Sequence, residues 1–405
     1  MERSYPTFTV TEKAEHSIRL GHPWVYDSEI LAGESENGRL ANVTSRKGRW
    51  LGAGFYNGNS KIRLRIISRN ANDDFSEAFF ERRLRHAVDY RRTVMGPDFA
   101  CCRLIFGEAD LFPGLTVDRF GSILVAQTLS LGIERIKPML FRLLVKILRE
   151  YGEPVEAIYE RNDVKIRELE GMEQGKGFFP GEGLAGDLPG VTEICENGIY
   201  YSVDYVNGQK TGFFLDQKYN RLAAARLAPG RRVLDCFTHT GAFALNAAKA
   251  GAAHVCAVDV SADAVAMAER NAARNQLAGN MSFREANVFD LLTQMAESKN
   301  REFDYIILDP PAFTKSHGTV RNAERGYREI NRKAMQLLPR GGYLATCSCS
   351  HFMTEELFCK MLHRAAEDAG RSLRQIEARQ QSPDHPILWN VPETNYLKFY
   401  LFQVV

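Results

Sequence analysis

The chain has 405 residues, two to three times a ~150-residue domain, so two or three domains are expected rather than one small core. Charged residues make up 25% and hydrophobic residues 44%, close to the soluble globular average, which argues against disordered and fibrous classes. Formal net charge is +2, from 52 Lys and Arg against 50 Asp and Glu, so global charge alone selects no polyanionic partner.

No apolar run approaches the ~18 residues of a membrane span, and the opening MERSYPTFTV has no apolar signal core, so a cytoplasmic protein that meets no membrane is expected. The eight cysteines, Cys101, Cys102, Cys195, Cys236, Cys256, Cys347, Cys349 and Cys359, show no Cys-x-x-Cys pair and no matching His spacing. Reduced thiols are therefore expected, with neither a metal nor a disulfide framework.

Residues 1–72 hold short alternating runs, such as 50–56 and 61–68, punctuated by Gly38, Gly48, Gly52, Gly54 and Gly58. This reads as a small β-barrel-like module. Eight basic residues and no acidic one fall within residues 37–70 (Arg39, Arg46, Lys47, Arg49, Lys61, Arg63, Arg65 and Arg69), leaving the rest of the chain at −6. Such a stretch is compatible with a solvated surface, but it also attracts polyanions. Arg46, Lys47, Arg49, Lys61 and Arg63 are the candidate contacts to such a polyanion.

Residues 73–194 read as a mixed α+β domain. Phe80, Leu84 and Val88, four apart among charges, predict a helix over 75–95 with Asp74 as its cap. Strands are expected at 115–117, 123–129 and 156–160, with a helix opened by Pro138 and running to Tyr151. From residue 195 the third domain begins, and from about Arg231 strands and helices alternate, which predicts a parallel, doubly wound sheet. Its strands are expected at 232–236, 254–260, 281–285, 303–308 and 343–349, and Ser261 caps a helix with Asp263 in its first turn. Residues 373–377 and 396–405 suggest a closing antiparallel pair.

The turn after the first of these strands, Asp235-Cys236-Phe237-Thr238-His239-Thr240-Gly241, lacks the Gly-x-Gly-x-x-Gly of a pyrophosphate cradle. An acidic residue at the strand end and a glycine opening the helix suit a cofactor without phosphate whose cationic parts want a carboxylate, and S-adenosylmethionine fits. Asp259, ~20 residues further on, is placed to take the ribose hydroxyls. Asn287 follows the third strand, where it suits either the adenine amine or a turn. Asp309-Pro310-Pro311-Ala312-Phe313 ends the fourth strand in a rigid loop at the edge where open α/β sheets bind ligands, a substrate-facing position for Asp309.

The next strand carries Cys347 and Cys349, which strand periodicity places on one face. A strand cysteine is commonly a small core hydrophobe. The later one lies nearer the ligand edge, and a thiolate supplies what carbon methylation of a pyrimidine requires, since addition at C6 makes C5 nucleophilic. Cys349 is the candidate nucleophile.

Together with Lys210-Thr211-Gly212-Phe213-Phe214-Leu215-Asp216-Gln217, Arg325-Gly326-Tyr327 and Ser348-Cys349-Ser350, these motifs resemble the RlmI family of 23S ribosomal RNA cytosine-5 methyltransferases over almost the whole chain. Gly21-His22-Pro23-Trp24-Val25-Tyr26 is similar to that family's amino-terminal RNA-binding PUA domain. Residues 103–110 and 113–115 are similar to its middle domain. The resemblance implies a Rossmann-like class I methyltransferase domain over residues 195–405. It implies that Gly212, Phe213, Gln217, Asp235, Phe237, Gly241, Asp259, Asn287 and Asp309 line the S-adenosylmethionine pocket, with Cys349 as nucleophile and Asp309 orienting the base. Two-cysteine RNA cytosine-5 methyltransferases carry a second Cys after the fourth-strand proline, where this chain has Ala312. The expected activity is formation of 5-methylcytosine in large-subunit ribosomal RNA. The rivals are 5-methyluridine formation, methylation of an exocyclic amine, and a non-catalytic ribosome assembly factor.

Overall fold

The computed structural model describes residues 4–314 and 317–405; the first three residues of the amino-terminal module lie outside them. The chain divides into two compact units. One comprises Met1–Ile194, Val203–Leu215 and Pro383–Thr394, the other Cys195–Ser202, Asp216–Ser382 and Asn395–Val405.

The first unit opens with six strands, β1 (Thr7–Val10), β2 (Trp24–Tyr26), β3 (Ile30–Ala32), β4 (Leu40–Ser45), β5 (Trp50–Tyr56) and β6 (Ile62–Ser68), in the order β2-β6-β5-β4-β1-β3. Their inward residues, among them Phe8, Val10, Val43, Leu51 and Leu64, form a core with Ala14 and Ile18. Those last two belong to a helix, Glu12–Arg19, whose first turn is capped by the Thr11 hydroxyl accepting from Ala14 N at 3.3 Å. Five strands follow: β7 (Cys101–Phe106), β8 (Leu115–Phe120), β9 (Ile123–Thr128), β10 (Ala157–Asn162) and β11 (Gly175–Phe178). They form a second sheet in the order β11-β10-β9-β8-β7.

Two helix starts in this unit differ from the sequence expectation. The first helix spans Glu77–Met95, and its cap is Ser76, whose hydroxyl accepts from Phe79 N at 3.4 Å. Asp74 is drawn off by Ser76, accepting from its backbone N–H and hydroxyl. The second spans Leu131–Glu150, with Pro138 inside it rather than at its start. An interior proline removes a hydrogen bond and costs about 3 kcal/mol. Burial of Gly132, Ile133 and the apolar face from Leu140 to Leu148 offsets that cost. Gly132 lets the first turn of this helix approach Phe55, since a Cβ there would lie 2.1 Å from its ring.

The segment Pro383–Thr394 completes the first unit although it falls late in the chain. Its Asp384 is buried and accepts from Arg103 N at 2.8 Å and His385 Nδ1 at 2.9 Å. The Asp384 carbonyl accepts from Arg91, whose guanidinium also grips Asp110 with both arms.

After a two-stranded hairpin, β12 (Val191–Glu196) and β13 (Ile199–Asp204), the second unit forms a seven-stranded sheet. Its strands are β14 (Arg232–Cys236), β15 (His254–Asp259), β16 (Met281–Glu285), β17 (Tyr305–Leu308), β18 (Tyr343–Ser348), β19 (Leu373–Arg379) and β20 (Lys398–Val404), in the order β16-β15-β14-β17-β18-β20-β19. The first five are mutually parallel, and β20 runs antiparallel to both β18 and β19. This is the doubly wound sheet with an antiparallel closure that the alternation of strands and helices predicts. β17 is apolar and buried throughout, and β14 is apolar and buried from Val233 to Cys236 apart from buried Asp235, as strands covered on both faces are. Ser261 caps the helix Ala262–Arg274, its hydroxyl accepting from Ala264 N. β18 ends at Ser348, one residue before the sequence expectation, so Cys349 sits in the loop beyond the strand.

Candidate active site

The parallel register aligns the carboxyl ends of the central strands. Cys236 pairs with Val258 on one side and Leu308 on the other, and Leu308 pairs with Thr346. The turn after β14, Asp259, Asp309 and Cys349 therefore share one edge of the sheet, where open α/β folds bind ligands.

Asp235 is fully buried in the second-last position of β14. Its Oδ2 accepts from Thr238 Oγ1 at 2.6 Å and from Ala244 N at 3.0 Å, which ties the strand end to the following helix. Its Oδ1 is buried with no hydrogen-bond partner among the described residues, and neither has the Thr240 hydroxyl. An unmet buried carboxylate oxygen is costly unless a ligand completes it. Burial raises this carboxyl to about 7. The turn itself is strained: Phe237 and His239 hold positive φ angles of 64° and 51°, and Gly241 one of 86°. Non-glycine residues in this region cluster at ligand clamps.

Asp259 shapes the same turn, its Oδ2 accepting from His239 N at 2.9 Å and its Oδ1 from Ser261 N at 3.0 Å. Burial pushes the His239 imidazole down to about 4, so it brings no positive charge to the pocket at neutral pH. Asn287 is the N-cap of the helix Val288–Glu297, its Oδ1 accepting from Phe289 N at 2.9 Å. Phe237 meets Phe313 edge-on, with ring centroids 6.4 Å apart.

Asp309 accepts from Gln217 Nε2 at 3.0 Å, and Gln217 in turn accepts from Asn220 Nδ2. Burial, reinforced by the charge of Asp216, raises Asp309 to about 6. Gly212 and Phe213, by contrast, belong to the first unit. There Gly212 holds a φ of 119°, and a Cβ on it would come 2.8 Å from Asp204 O.

The two cysteines are placed differently. Cys347 is fully buried, and burial, reinforced by the charge of Asp309, pushes its thiol well above the ordinary range. Cys349 is partly exposed, and its Sγ lies 4.0 Å from Pro310 O in the Asp-Pro-Pro loop. Ser348 points the other way, donating to Tyr327 Oη at 3.1 Å. Tyr327 packs on Phe313 with centroids 4.6 Å apart, and Gly326 leaves room for that ring. The Arg325-Gly326-Tyr327 motif thus supports the two loops.

One residue of this site escaped the sequence reading. Lys398, paired with Ser348 across β20 and β18, is buried and donates to Ser350 O at 2.6 Å and Tyr396 O at 2.7 Å. Burial lowers it to about 8, while Cys349 and Glu355 favour its charged form. A lone lysine within the apolar run 397–402 was the signal that marked it.

In the first unit, Arg46, Lys47 and Arg49 are exposed at the β4–β5 turn and Lys61 before β6, none with a carboxylate partner among the described residues. Arg63 is held by Asp27 at 2.6 Å and Arg65 by Glu170 at 2.6 Å.

A sheet of this order, with an unmet carboxylate at its first strand and acidic residues at its second and fourth, defines an S-adenosylmethionine-dependent methyltransferase. The S-adenosylmethionine-dependent methyltransferase family matches residues 177–403, and a PUA-like domain matches residues 8–69. The chain belongs to the ribosomal RNA large subunit methyltransferase I family. It is 38% identical over 405 residues to the Klebsiella pneumoniae member, covering 99% of each chain, and 39% identical over 395 residues to an Escherichia coli member, covering 96% of this chain and 97% of that one. A Streptococcus mutans structure assigned as a SAM-dependent methyltransferase shares the fold, with a TM-score of 0.82, 22% identity and coverage of 98% of this chain and 99% of that one. The cofactor is S-adenosylmethionine, and the unmet Oδ1 of buried Asp235 at the sheet's ligand edge suits the cationic part of such a group. Among the described residues no helix is long and apolar enough to cross a membrane.

Proposed function

We propose that this chain forms 5-methylcytosine in 23S ribosomal RNA in the cytoplasm, with Cys349 as a covalent nucleophile. The observation that carries this reading is the pairing at one sheet edge of a reachable thiol, Cys349, with a carboxyl poised near neutrality, Asp309. Curated relatives named for the large ribosomal subunit RNA support the substrate class, as does the PUA-like domain.

S-adenosylmethionine, when bound, supplies an electrophilic methyl group. The Cys349 thiolate adds to C6 of cytosine, so that the electrons of the C5–C6 double bond become available at C5 for the methyl group. Loss of the C5 proton then restores the double bond and expels the thiolate. Asp309, set close to neutral pH by its surroundings, orients the base through its ring nitrogen or amine. Cys347 is unsuited to the attack: it is sealed from solvent, and burial holds it as a thiol. Lys398, a cation below pH 8 beside the Cys349 loop, favours the thiolate.

The test is RNA carrying 5-fluorocytosine. Fluorine cannot leave as a proton, so wild-type protein is expected to form a methylated adduct that survives denaturation. Cys349→Ala is expected to lose both adduct and turnover with S-adenosylmethionine binding intact, and Cys347→Ala to lose far less. Activity retained by both variants would sink the covalent reading in favour of amine methylation. A modified nucleoside identified as 5-methyluridine would replace the base assignment.

A further inference from the structure

The chain has three tryptophans, and two of them are tied. The indole N–H of Trp24 donates to Glu108 Oε1 at 2.9 Å, and that of Trp50 to Asn42 Oδ1 at 3.1 Å. Trp389 differs from both: it is 97% exposed and has no hydrogen-bond partner among the described residues. A single exposed apolar side chain is not by itself a site, but an indole held wholly in water offers a whole aromatic face to a partner.

The turn that carries this ring is firmly anchored. Leu388 N donates to Thr394 Oγ1 at 2.9 Å, Val391 N to Leu388 O at 2.8 Å, and Val391 itself is fully buried. The Asn390 side chain lies over Gly21, where a Cβ would come 2.1 Å from its Nδ2, and Glu393 meets His22 Nε2 at 3.1 Å. The flanks of Trp389 are thus fastened to the Gly21-His22-Pro23-Trp24 motif, and the indole is presented with its backbone already ordered. Such preorganisation lowers the entropic cost of a contact.

The surroundings say what kind of contact this is. The Arg69 guanidinium converges on the same Gly21 position, 3.1 Å from where its Cβ would be. Arg69 closes the run of eight basic residues that has no acidic member. One arm of that guanidinium donates to Ile18 O and Arg19 O, which holds the cation in place. An exposed aromatic and a cation fixed to the same motif are the elements by which proteins hold unpaired nucleotides, the ring stacking on a base while the cation meets a phosphate.

We propose that Trp389 is a stacking platform for an unpaired nucleobase of the RNA substrate, with Arg69 as its phosphate partner; this rests on the RNA-substrate reading above. Stacking of this kind accepts any base, since each has a π-face, so Trp389 contributes affinity and placement rather than sequence choice.

The experiment uses the full chain and a short single-stranded oligoribonucleotide. Binding is measured by filter retention and by indole fluorescence. Wild-type fluorescence is expected to be quenched on binding, and Trp389→Phe to remove the quench while keeping affinity within about twofold. Trp389→Ala is expected to bind about tenfold more weakly, the low end of what base stacking contributes. Its salt dependence is expected to stay unchanged, because the basic side chains that meet phosphate are all still present, and S-adenosylmethionine affinity to stay unaltered. Equal affinity of wild type and Trp389→Ala with an unchanged quench would overturn the proposal. So would a wild-type oligomer that Trp389→Ala disperses while RNA affinity is kept, which would make the ring a protein contact. Failure of wild type to bind any RNA would instead remove the substrate reading on which the proposal stands.

Discussion

Replacing Asp235 by Asn separates the cost of its burial from its use to the cofactor. Burial raises this carboxyl from an ordinary 3.8 to about 7, and each unit is worth ~1.4 kcal/mol. The unfolded chain gives up the proton near 3.8 and the folded chain only near 7. The penalty is therefore absent below the lower value, grows as pH rises through that window, and is complete above the upper one. By pH 8 it amounts to about 4 kcal/mol, and at pH 5 to less than half of that. An asparagine carries no charge but leaves its amide N–H unmet where Oδ1 now stands, at a cost of about 1–3 kcal/mol. The cofactor-free variant is thus expected to be more stable than wild type by about 1–3 kcal/mol at pH 8, and equal or slightly weaker at pH 5. Its S-adenosylmethionine affinity is expected to fall roughly ten- to hundredfold, the loss of a charge-assisted hydrogen bond. Urea unfolding at both pH values and calorimetry at pH 8 read the two effects. A variant less stable than wild type at pH 8, or one that binds the cofactor equally well, would refute the reasoning.

Two further expectations concern charge. Replacing Arg46, Lys47 and Arg49 together by Ser should lower the slope of log affinity against log salt by about 1 for each phosphate left without its cation, with cofactor binding kept; an unchanged slope returns the turn to plain solvated surface. Lys398→Met should move the acid limb of the pH–rate profile to higher pH by about one unit, since its cation faces Cys349 while Tyr327, Cys347 and Glu355 bring no other positive charge. Lys398→Arg should restore the profile, and an identical profile in the Met variant would remove the lysine from the mechanism.

Most of the second unit was legible because its strands are short, apolar and closed by local signals. The run 281–285 and the Ser261 cap follow from residue types that act within a few positions. What failed was decided at longer range. Pro138 looks like a helix opener, yet the helix begins seven residues earlier, where Gly132 admits Phe55, and the apolar face outweighs one missing hydrogen bond. The cap at Ser76 is the local exception: Asp74 and Ser76 are both capping residues two positions apart, and the hydrogen bonds between them decide which one caps. At the site, the acidic strand ends and the cysteines were visible in the sequence. Alternation gave Cys347 and Cys349 a shared face, and it could not show that the strand stops at Ser348 and leaves one thiol sealed and the other reachable. Lys398 was hidden because its role depends on a strand paired antiparallel from some fifty residues away.

The assignment of Pro383–Thr394 to the first unit bears on how the protein is made. Between Leu215 and Pro383 lie 167 residues of the second unit (216–382), which at roughly 5–20 residues per second take about 8–33 s to synthesise. During that interval the Arg103 amide lacks the Asp384 carboxylate, Arg91 lacks the Asp384 carbonyl, and the site of buried Val391 stands empty. The amino-terminal unit therefore emerges first but stays unfinished until the second unit's parallel strands have been made, and only that unit's closing segment Asn395–Val405 follows its strap. A fragment cut after Leu215 should accordingly be prone to aggregation, and supplying residues 383–394 as a separate peptide should rescue it.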